Sequence, residues 1–125
     1  MRLPRWHCGG GFSRAAREER GSVAAELAVA LPAVLLALLL GVGALSAAAT
    51  QVSLQDAAAD AARLLGRGES ADRAAGVVSA SVDGARSASR TDGDLVCVTA
   101  SIEMRIGRVI SVPLSASSCA LAGGL

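Results

Sequence analysis

Residues 27–55 carry no charged side chain, and the 23 residues 27–49, LAVALPAVLLALLLGVGALSAAA, are almost wholly apolar. At 1.5 Å per residue they make about 35 Å of helix, enough to cross a hydrocarbon core of about 30 Å. A chain of 125 residues that commits this run to a membrane keeps sequence for only one small domain outside it. Five arginines against two glutamates precede the run within residues 1–21, whereas Asp56, Asp60 and Arg63 follow it. That arginine excess predicts a single pass through the cytoplasmic (inner) membrane, N-terminus in the cytoplasm and C-terminal part outside. Nucleic-acid binding is not expected, because aromatic residues are 2 % of the chain and no basic stripe with stacking side chains occurs.

Composition divides the chain into four zones. Residues 1–21 form a polar cytoplasmic leader, 22–49 the transmembrane helix, 50–66 its extramembrane continuation, and 70–125 a small exported α+β domain. After the span, Leu54, Ala58, Ala61 and Leu65 fall on one stripe at helical period, with Asp56, Asp60, Arg63 and Arg67 elsewhere. The alanine stripe at 57–62 is read as a surface for another protein's helix. Gly66 and Gly68 are the expected terminators, and Ser70 the cap of a short helix over 71–79.

From Val96 to Ile106 every even position is apolar, and Ile110, Val112, Leu114 and Ala116 continue the parity. This alternation predicts two half-buried strands, the second an edge strand because it holds Pro113. The turn sequence RTDGD at 90–94 leaves room for a weaker strand over 79–89. The expected fold class is α+β: a long transmembrane helix continuing as an amphipathic helix, then a small antiparallel sheet of two or three strands.

Candidate chemistry is sparse, and no enzyme, cofactor, metal site or small-molecule substrate is expected. His7 beside Cys8 supplies two ligands in a leader, short of a closed metal site. Asp92 and Asp94 are two carboxylates where calcium takes six to eight oxygens, and a hairpin turn explains them better. The serines at 111, 115, 117 and 118 have no histidine to activate them outside the membrane.

Glu26 stands at the start of the apolar run, where an ionised carboxylate costs roughly 2.5–3.5 kcal/mol on insertion scales. A cut after Gly21 would give it a partner. Ser22 would become the N-terminus, its ammonium one helical turn from Glu26 and within reach of Glu26 in a neighbouring parallel copy. Such a pair would offset the membrane cost and set assembly register. Two other readings stay open: a secretory signal cut after Ala49, where SAAA resembles a cleavage site, releasing a small binding domain, and an anchor that is never cut.

Gly21, followed five positions later by Glu26 and then by an uninterrupted apolar helix, resembles the processing site of type IV prepilins. Within that superfamily AAELAVALP is similar to the signature of TadE-like proteins, the pseudopilins or minor pilins of tight-adherence (Flp) pili. Glu26, Ala28 and Pro32 match its glutamate, alanine and proline, and SLQDAA at 53–58 resembles the continuing helix. Leu27 stands where an aromatic is common, and Ser22 where classical pilins carry phenylalanine. The resemblance implies cleavage after Gly21 by a prepilin peptidase and assembly through Glu26 and Pro32. It also implies a non-enzymatic role among other pilin-like subunits and the tight-adherence assembly machinery. The chain left after Gly21 is longer than the short major pilins of these systems, which favours the TadE-like side; a TadG-like anchored protein is the uncut alternative.

Parity also pairs two of the three cysteines. If residues 107–109 form a three-residue loop, Ile106 meets Ile110, Met104 meets Val112, Ile102 meets Leu114 and Ala100 meets Ala116. In that register Cys97 lies opposite Cys119 on the other face, at a spacing a disulfide can bridge. A slip of two residues would keep the same faces and leave both thiols free.

Overall fold

The computed structural model describes residues 12–123, with side chains from residue 20 onward. His7, Cys8 and the glycines at 9–11 lie outside the described residues. The order of elements is α1 (Phe12–Gly66), α2 (Ala71–Ser81), β1 (Arg86–Asp92), β2 (Leu95–Ile106) and β3 (Ile110–Leu121). The chain divides into two compact units between Leu40 and Gly41, with α1 contributing to both. The fold is α+β, as the alternation and the apolar run require.

From Leu27 to Leu40 α1 is apolar on every side, with large side chains such as Leu27, Leu31, Leu35 and Leu39 exposed. No stripe distinguishes one face from another. A helix of this kind needs an apolar surrounding and does not build a core of its own.

In the second unit α1 is one-sided. Leu54, Ala57, Ala58, Ala61 and Ala62 are buried with Ala74 and Val78 of α2 and Val98, Ala100 and Ala116 of the sheet. The alanine stripe at 57–62 is therefore covered by the chain's own sheet and second helix, not by a partner's helix. Helical period reveals that a stripe is buried but carries no information about what buries it. Only Leu54, Val78 and Val98 are large side chains withdrawn completely from solvent; alanines supply most of the remainder.

α1 ends at Gly66, and Ser70 caps α2 by accepting a hydrogen bond from the Arg73 N–H at 3.3 Å. α2 runs two residues further than the helical period suggested. The first strand begins at Arg86 rather than near 79, because Val78 is needed in the core as part of the helix. The sheet has the order β1-β2-β3 and is antiparallel throughout. Asp92 pairs with Leu95 across Gly93, whose φ of +59° suits a tight two-residue hairpin.

The second hairpin has the register that parity predicts. Ile106 pairs with Ile110, Met104 with Val112, Ile102 with Leu114, Ala100 with Ala116 and Cys97 with Cys119, and the two cysteines form a disulfide. Even positions face α1 and odd positions face outward, where Thr99 Oγ1 and Ser117 Oγ lie 3.1 Å apart.

This hairpin lies along α1. At its open end the Leu121 carbonyl oxygen is 2.7 Å from where a Cβ on Gly66 would sit; at its tip an Ile106 methyl carbon is 3.2 Å from the corresponding position on Gly43. Residues 43–66 of a helix extend about 35 Å, and a strand of 12 residues such as β3 about 40 Å. The two elements match in length. Between these ends Gln51 Nε2 donates to the Ser115 carbonyl at 2.7 Å.

Two outcomes follow for the full chain in detergent. Leu54→Ala should cost about 2–5 kcal/mol by emptying the centre of a small core, and Gly66→Ala about 1–3 kcal/mol by driving a methyl group into the Leu121 carbonyl; urea denaturation measures both. Thiol labelling of unreduced, folded protein should modify neither Cys97 nor Cys119. Replacing both with serine should lower stability by about 3 kcal/mol on the chain-entropy model.

Candidate functional site

Gly21, Ser22, Glu26 and Pro32 sit in one stretch of α1, and all four are exposed. Ser22 and Glu26 are one turn apart on the same helix face. Among the described residues the ion pairs are Asp60–Arg63 and Glu69–Arg73, both exposed and short-range in sequence, so Glu26 has no charged partner among them. The carboxylate is followed along the helix by uncharged residues up to Gln55.

Gly21 has no duty in the fold. A Cβ placed on it meets nothing within 4 Å, and its backbone does not require the left-handed region. Glycine inside a helix is nevertheless about 1 kcal/mol less favourable than alanine. Gly41 and Gly76 are equally open, whereas Gly43 and Gly66 are held by the hairpin's approach. The glycines thus separate into those the packing explains and those it does not, and Gly21 belongs to the second set.

Pro32 lies inside α1. Having no N–H, it leaves the Ala28 carbonyl without its helical donor. In hydrocarbon such a group must find another partner or lie against protein. An unpaired carboxylate and an unsatisfied carbonyl therefore occur within two turns of one another on an otherwise apolar helix.

Sequence reasoning singled out these four positions but missed Gly43 and Gly66 as contact points for the hairpin. A signal for Gly43 was present. Gly43, Ala47, Thr50, Leu54, Ala58, Ala61 and Leu65 recur at helical spacing, so the stripe recognised from Leu54 onward extends upstream as a run of small residues. Among the described residues no group of three or more His, Cys, Asp or Glu side chains comes together.

Among the described residues one helix is long and apolar enough to cross a membrane, and none of its most apolar window is buried. A single-pass anchor joined to a small disulfide-linked α+β unit is the class of protein these features define. The family model of TadE-like proteins matches residues 21–63, so that stretch is similar to TadE-like proteins. The match takes in Gly21, Ser22, Glu26 and Pro32, ends three residues before α1 does, and covers about a third of the chain. No curated protein and no solved structure matches the chain.

Because nothing packs on Gly21, Gly21→Leu should leave the fold intact. The stability of the full chain in detergent should not fall and should rise by up to about 1 kcal/mol, measured by urea denaturation with the helical circular-dichroism signal as the readout.

Proposed function

We propose that this protein is a minor pilin or pseudopilin of a tight-adherence pilus, inserted with its N-terminus in the cytoplasm and cut after Gly21 by a prepilin peptidase. Glu26 then pairs with the Ser22 ammonium of a neighbouring pilin-like subunit, and Pro32 exposes the Ala28 carbonyl to the same bundle of helices. Residues 22–49 supply the span, and the C-terminal part works outside the membrane as a docking and presenting surface without chemistry of its own.

The observation that carries this reading is the meeting of two independent facts at one residue. Gly21 opens the TadE-like match, and it is a helical glycine that the fold does not need. The Cys97–Cys119 bridge supports an oxidising compartment for the C-terminal part. Release by a cut after Ala49 is disfavoured, since it would remove Gly43, against which the hairpin tip rests.

The mass of the mature N-terminus tests the proposal: a chain beginning at Ser22 is expected, and one beginning at Thr50 would overturn it. In cells that contain the peptidase, Gly21→Leu should keep its leader; normal maturation of that variant would remove Gly21 from the processing site. Glu26→Ala should still be cut and inserted, since the change lowers the insertion cost, but should fail to co-purify with the other pilin-like subunits. Undiminished co-purification would show that the pair is unimportant.

A further inference from the structure

The β2–β3 hairpin reaches further along α1 than the polar part of the helix does. Its tip meets the helix at Gly43, and residues 43–49 contain no charge. The exposed side chains of α1 near that level are Val42 and Leu45. The tip is apolar as well: Val109 is 92 % exposed and Ile110 51 % exposed. Arg105 and Arg108 flank this pair, and neither belongs to an ion pair among the described residues. Glu103, the nearest acidic residue along the strand, is on the outward face and further from the tip.

We propose that the hairpin tip is an interfacial membrane anchor: Val109 and Ile110 enter the extracytoplasmic leaflet beside α1, while Arg105 and Arg108 hold the phosphates of anionic phospholipids. The inference rests on reading α1 as a membrane span. Given that span, the contact of Ile106 with Gly43 fixes the tip at a level where the helix is still apolar, so its surroundings are acyl chain and headgroup rather than water. Apolar side chains gain from that layer, and arginine stems can lie in it with their guanidinium groups among phosphates. Anionic lipid adds a charge attraction that acts only near the surface. A second copy is a poorer occupant. In a symmetric contact the two arginine pairs would face one another, and two apolar side chains fall far short of the area of a stable interface.

The test uses the full chain with Trp6→Phe, reconstituted in vesicles of phosphatidylglycerol and phosphatidylcholine bearing brominated acyl chains. A single tryptophan is placed in turn at Leu35→Trp in the span, Val109→Trp at the tip and Leu95→Trp at the far end of the hairpin. Bromine should quench the first two strongly and the third not at all. Combining Arg105→Glu with Arg108→Glu should abolish quenching at the tip while leaving that of Leu35→Trp unchanged. Quenching at Leu35→Trp with none at Val109→Trp would overturn the anchor while preserving the span. Absence of quenching at Leu35→Trp would overturn both. A blue-shifted but unquenched Val109→Trp would assign the tip to a protein partner instead, and quenching that survives charge reversal would refute the role given to the arginines.

Discussion

The close approach of a β-hairpin to a helix built from alanine and glycine is the interaction on which the C-terminal unit depends. Ala57, Ala58, Ala61 and Ala62 are buried in the core, and the hairpin's two ends approach Gly43 and Gly66. Small residues contribute little area each. Their benefit is that no large side chain on this face of the helix holds the layers apart. The cost is a core with only three large, wholly buried side chains, and here the disulfide and the cap of α2 supply constraint that burial alone does not.

The same helix serves two different surroundings because its sequence changes character. Over residues 27–49 apolar side chains are distributed around the full circumference; beyond about Leu54 they narrow to a stripe, with Asp56, Asp60 and Arg63 on the remaining surface. No break in hydrogen bonding is needed at the change, and α1 is one element throughout. Gly21, Glu26 and Pro32 lie where the helix offers no packing reason for them, and each departs from what a simple apolar span would contain, through flexibility, charge and a missing donor.

Much of this was legible in the sequence. The period-two alternation fixed which faces meet, because a one-residue shift would turn the apolar side chains outward, but it left a two-residue slip open; the structure has the register that a three-residue loop implies, with Cys97 opposite Cys119. Gly21, Glu26 and Pro32 were legible for the opposite reason, as exceptions to a pattern. What covers the alanine stripe was not legible, since a helical period records burial without its source. The boundary of the first strand was hidden as well: β1 presents Ser87, Ser89 and Thr91 beside Ala100, Val98 and Val96, so its inner face is polar and lacks the alternation that betrays the other two strands.

The sheet has only three strands, so two of them have a free side. Open edges tend to recruit other open edges, and crowding many copies into one layer would favour such sheet-to-sheet adhesion. Here Pro113 interrupts the donors of β3, Gln51 occupies one of its acceptors, and Arg86 and Arg90 place charge along β1. The sheet edges are therefore poor templates for strand addition, and crowded copies of the molecule would keep their sheets separate.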